Sequence, residues 1–142
     1  MEFIVTDRRS IEKGLVVRSP YILISVRDPG THKPQIRRGA GFRDVLFLAF
    51  HDAEPSNNLE LPNDIVLMTP EDAKNIWDFV YRWHDDIGTI VCHCEQGMSR
   101  SPAIAIGVCR GLDADPSDLE AEFNPNTFVR NLVISASDES AG

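Results

Sequence analysis

The 142-residue chain has no apolar run approaching the roughly 20 residues that a membrane-spanning helix needs, which argues against a helical membrane protein. It has only three cysteines, Cys92, Cys94 and Cys109, an odd number without the spacing of a secreted disulfide scaffold. Reduced thiols in a reducing compartment are therefore expected. Residues Met1 to Asp7 lack the basic stretch followed by an apolar segment that marks a secretory signal, so the expected location is cytoplasmic. Positive charge is also scarce. Lys and Arg number 14 against 22 Asp and Glu, a formal net charge of −8, which speaks against a broad surface for nucleic acid or an anionic membrane.

With 42% apolar and 25% charged residues, the chain has the composition of a folded globular protein and the length of one domain. The expectation is a single domain over residues 1–134 with a frayed polar tail at 135–142. Short β-branched runs at Phe3–Thr6, Tyr21–Val26, Val45–Phe50 and Thr89–Cys92 show little alternation, as strands buried on both faces do. Thr69-Pro70-Glu71-Asp72 carries a cap, a proline for the first helical position and acids for the helix dipole. Ala73, Ile76, Trp77, Val80 and Trp83 then recur at helical spacing, as a core-facing stripe. Further helices are expected from Pro102 to about Leu112, from Asp115-Pro116, and from Asn124-Pro125 through Phe128, Leu132 and Val133. The predicted fold class is α/β, a three-layer sandwich with a mostly parallel central sheet.

Residues 1–43 hold nine Lys or Arg against four acids, whereas 44–142 hold five against eighteen. Residues 27–43, with Arg27, Lys33, Arg37, Arg38 and Arg43, read as a long basic loop, either reaching the rim of a site or simply solvated.

The chemistry is concentrated in Cys92-His93-Cys94-Glu95-Gln96-Gly97-Met98-Ser99-Arg100-Ser101-Pro102, an apolar strand running through a polar loop into a helix. Such a loop directs several main-chain N–H groups and the positive end of a helix at one point, which suits a phosphate. Gly97 supplies a backbone freedom that bulkier residues lack. Arg100 has the planar fork that grips two oxygens. The same donors favour the thiolate of Cys94, the nucleophilic form. Cys92 and Cys109 are expected to pack as small core residues.

This segment resembles the H-C-x-x-G-x-x-R-[ST] signature of the protein tyrosine phosphatase superfamily, matched at His93, Cys94, Gly97, Arg100 and Ser101. Its closest kin by length are the small dual-specificity-like and bacterial tyrosine phosphatases. The resemblance is firm from about Thr89 to Leu112 and a general pattern from Tyr21 to Phe50. It implies a cysteinyl-phosphate formed on Cys94, with Arg100 and the amides of Glu95, Gln96, Gly97, Met98, Ser99 and Arg100 binding the phosphoryl oxygens. It further implies that Ser101 helps the sulfur leave and that His93 holds the loop's backbone. No cofactor or metal is implied.

The family also uses an upstream aspartate as acid. Asp52 is favoured because it directly follows the strand ending at Phe50, and a loop at a strand's C-terminal end lies on the ligand edge of a parallel sheet. Asp64 is the rival, 30 residues before Cys94 where Asp52 is 42 before, and Glu54 is a third candidate. The expected substrate is a phosphorylated protein or a small phosphoester. Glu95, Gln96 and Met98 bring no positive charge, which disfavours inositol-lipid headgroups.

Other classes stay open. A phosphate-binding pseudophosphatase would keep the cradle without a working acid. A rhodanese-like sulfurtransferase has a loop one residue shorter and no trailing serine. Low-molecular-weight phosphatases and arsenate reductases place C-x5-R before their acid, the reverse of the order here. A zinc site at Cys92-His93-Cys94 is the weakest option, because adjacent strand residues diverge.

Overall fold

The computed structural model describes residues 1–55 and 61–141, with the backbone alone over 138–141. Four strands form one sheet: β1 (Glu2–Asp7), β2 (Tyr21–Arg27), β3 (Phe42–Ala49) and β4 (Thr89–Cys94). Their spatial order is β1-β4-β2-β3 and every pairing is parallel. The last strand in sequence is thus inserted between the first two, and it is fully buried, with a run of Thr, Ile and Val suited to a strand covered on both sides. All four C-terminal ends, at Asp7, Arg27, Ala49 and Cys94, lie on one edge.

Five α-helices, α1 (Arg8–Lys13), α2 (Pro70–Trp83), α3 (Arg100–Gly111), α4 (Ser117–Glu122) and α5 (Thr127–Ala141), and a 3-10 turn at His84–Asp86 complete the described fold. The α/β architecture with a central parallel sheet flanked by helices is as the sequence indicated. Its two outer layers are unequal. Alternate residues of the strands, Ile22, Ile24, Val26, Ile90 and Cys92, join α2, α3 and α5 in the larger core. The opposite face, carrying Tyr21, Leu23 and Val91, is covered by Ile11 of α1 and by Leu15, Val17 and Ile36 from loops. The passage from β2 to β3 makes its crossover through residues 28–41 without a helix, which is why that layer is thin.

The start of α2 has the expected cap: Thr69 Oγ1 accepts from Asp72 N–H at 3.1 Å and Asp72 returns the bond to Thr69 N–H at 3.0 Å. One expectation is corrected. The last helix starts at Thr127 and not at Asn124-Pro125, because Asn126 takes the cap position, its Oδ1 accepting from Val129 N–H at 3.0 Å. Residues 135–141, expected as a polar tail, lie within α5, where Ala136 and Ser137 are buried; one turn earlier Trp77 Nε1 donates to Val133 O at 2.7 Å. Residue 142 lies outside the described residues. Among the described residues no helix is long and apolar enough to cross a membrane.

Candidate active site

The site grows from the end of β4. Residues 95–99 turn from that strand into α3, and the turn depends on Gly97, whose φ of +69° lies in the left-handed region. A β-carbon there would stand 2.7 Å from the main chain of Thr6, so side chains are excluded by space as well as by strain. This close approach docks the loop on the end of β1. Arg8, the first residue of α1, extends the docking: its N–H donates to Glu95 O at 3.4 Å and its guanidinium meets the Glu95 carboxylate at 3.2 Å. The sequence did not single out Arg8. Among the described residues, the N–H groups of residues 95–99 donate to no protein acceptor, which leaves them available beside the helix end.

Cys94 sits at the floor of this turn, 2% exposed, with Sγ 3.2 Å from Ser101 Oγ. A thiolate there can only accept, so the Ser101 hydroxyl is the donor to it. His93 faces the other way and is fully buried. Desolvation holds its pKa below the ordinary histidine range, with the charge of Arg8 acting in the same direction, so the ring is neutral. Its Nδ1–H points to Cys94 O at 3.4 Å, and Nε2 accepts from Ser25 Oγ at 2.6 Å. His93 therefore braces the strand end. Burial pushes the Cys92 thiol far above its ordinary value, and burial with nearby Asp115 and Glu120 raises Cys109. Both behave as packed core thiols. Among the described residues no three or more His, Cys, Asp and Glu side chains converge as a metal site.

Arg100 is 6% exposed and reaches across the strand ends. Its Nη1 donates to Asp28 Oδ1 and to Phe50 O, each at 2.7 Å. Cys94, Arg100 and the loop residues Glu95, Gln96, Met98 and Ser99 line a cleft of about 880 Å³, whose other walls are Asp28, His51, Asp52, Ile65, Glu122, Phe123 and Asn124.

The structure separates the three acid candidates. Asp52 lines the cleft, and its Oδ1 accepts from Ser99 Oγ and from Asn126 Nδ2, both at 2.9 Å. These bonds tie the candidate acid to the loop and leave the second oxygen for exchange with a substrate. Asp64 is exposed and does not line the cleft, although its neighbour Ile65 does. Glu54 caps α5, accepting from Thr127 N–H at 2.5 Å and Oγ1 at 2.7 Å. Those bonds hold its pKa below the usual carboxylate range, the wrong direction for an acid. His51 fixes the segment that carries Asp52 by pairing twice with Val66, through His51 N–H to Val66 O at 2.7 Å and Val66 N–H to Nδ1 at 2.9 Å.

Asn126 is another residue that the sequence did not single out. It is 3% exposed and caps α5, and it also donates to Asp52, to Ala53 O at 3.1 Å and, through its N–H, to Ser99 O at 3.2 Å. Its cap-forming type beside Pro125 was the available signal; its long-range contacts were not. The cations of the basic loop do not line the cleft. Lys33 lies over the Phe47 ring and Arg38 over the Phe42 ring, while Arg27, Arg37 and Arg43 donate to main-chain carbonyls of Thr31, Glu12 and Ala40. From this loop only the acid Asp28 lines the cleft.

No protein-family model matches the chain, and no curated protein matches it at a significant level. A solved human structure, described as a tyrosine phosphatase-like serine/threonine/tyrosine-interacting protein, is similar over 86% of this chain and 79% of its own, at 17% identity and a TM-score of 0.48. Similarity of that degree establishes neither family nor activity, so the chemistry of the cleft has to carry the functional reading.

Proposed function

We propose that the protein is a cysteine-dependent phosphomonoester hydrolase acting on phosphorylated tyrosine, or on tyrosine and serine/threonine alike, through a cysteinyl-phosphate intermediate. One observation carries this: a single buried sulfur, in contact with a serine hydroxyl, lies under a turn of unpaired amides closed by an immobilised arginine. That is a receptor for a tetrahedral oxyanion with a nucleophile at its base.

In the first step the Cys94 thiolate attacks phosphorus and the bond to the leaving oxygen breaks. The amides and Arg100 hold the equatorial oxygens while Asp52 gives the leaving oxygen its proton. In the second step Asp52 takes a proton from water, which attacks phosphorus. The electron pair of the breaking P–S bond returns to sulfur, and Ser101 stabilises it there. The extra residue in the turn and the trailing serine in contact with sulfur favour this over a sulfurtransferase.

The cleft is lined by Asp28, Asp52, Glu95 and Glu122 against the one guanidinium of Arg100. Polyanions such as inositol polyphosphates are therefore poor candidates, and a phosphoprotein or a singly phosphorylated small ester is the substrate class. A reducing, cytoplasmic setting suits a nucleophilic thiol.

The test is hydrolysis of p-nitrophenyl phosphate in the presence of a chelator, with vanadate as inhibitor, followed by a panel of phosphotyrosine, phosphoserine and phosphothreonine peptides, nucleotides and inositol lipids. Turnover that needs a divalent ion would overturn the mechanism. Preference for inositol lipids would overturn the substrate class.

A further inference from the structure

The chemistry above uses Arg100 but not the carboxylate beneath it. Asp28 follows β2, the strand next to β4, and its Oδ1 accepts from Arg100 Nη1 at 2.7 Å. Phe50, at the end of β3, accepts from the same Nη1 through its carbonyl at 2.7 Å. An Nη group has two hydrogens, so these two bonds saturate Nη1. Among the described residues, what remains without an acceptor is the side edge of the guanidinium, Nε–H and the Nη2 hydrogens, the pair that grips two oxygens in parallel. Three neighbouring strand ends thus divide the work: β4 presents the sulfur, while β2 and β3 fix the rotation of the arginine.

We propose that Asp28 is a positioning residue, which sets the free edge of Arg100 before phosphate arrives; this rests on the phosphatase reading of the cleft. A negative charge beside an anion site is by itself unfavourable for anion binding. Positioning requires its hold on Arg100 to outweigh that repulsion. The opposing possibility is that Asp28 competes with phosphate for the arginine, and the two differ in sign.

The experiment measures kcat and KM for p-nitrophenyl phosphate, the inhibition constant of vanadate and the melting temperature for wild type, Asp28→Ala, Asp28→Asn and Asp28→Lys. Positioning requires Asp28→Ala to weaken vanadate and raise KM by about tenfold, the scale of one lost charge-assisted hydrogen bond. Asp28→Asn keeps an acceptor and recovers most of that loss. Asp28→Lys is the sharpest variant, because it adds positive charge yet displaces Arg100. Weaker vanadate binding in it supports positioning, and tighter binding shows competition and overturns the proposal. Asp28 is 43% exposed, so folding should tolerate these changes; should Asp28→Ala fail to fold, the Lys and Asn variants decide alone. Wild type that hydrolyses and binds vanadate, beside variants that match it, sinks the positioning role only. Wild type that does neither sinks the phosphatase reading and the positioning role with it.

Discussion

The two sides of the cleft are built in different ways. The side proposed to hold the nucleophile is one contiguous stretch, Cys94 to Ser101, whose geometry follows from a buried strand, a left-handed glycine and a helix start. The side proposed to hold the acid is assembled from afar: Asp52 follows β3, Asn126 caps α5, and Ser99 joins them. A short-range device is fixed by local backbone chemistry, whereas a long-range one holds only as well as its packing does. Loss of one contact should therefore cripple chemistry on the first side and loosen geometry on the second.

The largest effect expected, short of removing the sulfur, is at Arg100. Arg100→Lys keeps the charge but loses the fork, and kcat/KM for an aryl phosphate should fall by roughly 10²–10³, as when one preorganised oxyanion donor is removed. A loss below tenfold would mean that the loop amides suffice. On the other side, Asp52→Asn should lower kcat by about 10²-fold for an alkyl or phenyl phosphate. The loss should shrink for p-nitrophenyl phosphate, whose leaving group needs little protonation. Asp64→Asn should leave both rates near wild type, and equal losses at Asp52 and Asp64 would remove the distinction between them.

A smaller effect is expected at Ser101, where Ala removes one hydrogen bond to sulfur. Breakdown of the intermediate should slow by roughly tenfold, given about 1.5 kcal/mol for a hydrogen bond to a charged group, and become visible as a pre-steady-state burst. An unchanged second step would assign Ser101 to helix packing.

The smallest effects concern stability. Glu54→Gln and Asn126→Ala each weaken the start of α5, by about 1 kcal/mol for a lost cap. They should part company with pH. Glu54 has a folded pKa below its unfolded one, so its contribution is present above about pH 4.5 and is lost as pH falls through the folded value; Glu54→Gln should flatten that acid limb. His93 is likewise depressed, and below about pH 6.5 the unfolded chain binds a proton that the folded chain resists. Stability should drop with acidification there, and His93→Asn should reduce the slope. Denaturant titrations from pH 4 to 8 check both.

The same division explains what the sequence made legible. The parallel sheet, the capped α2 and the whole Cys94-to-Arg100 turn depend on local patterns, and all were readable from β-branched runs, Thr69-Pro70 and the glycine spacing. Helix α1 was not. Its six residues, Arg8–Lys13, bury only Ile11, too little for a periodicity. Arg8, Asp28 and Asn126 were missed as site residues because their roles are long-range, Arg100 and Asp28 being 72 positions apart in the chain. For the basic loop the sequence left rim and solvated positions open, because it shows charge but not direction; the structure places its cations over aromatic rings and on main-chain carbonyls.

The central claim is covalent, so its most direct test is to catch the adduct. Protein turning over p-nitrophenyl phosphate would be quenched in acid, digested and mapped by mass spectrometry. The account requires one phosphoryl group on the peptide containing Cys94, accumulating further in Ser101→Ala and absent in Cys94→Ser together with all turnover. Turnover that persists in Cys94→Ser, or a phosphoryl group found on any other residue, would contradict it.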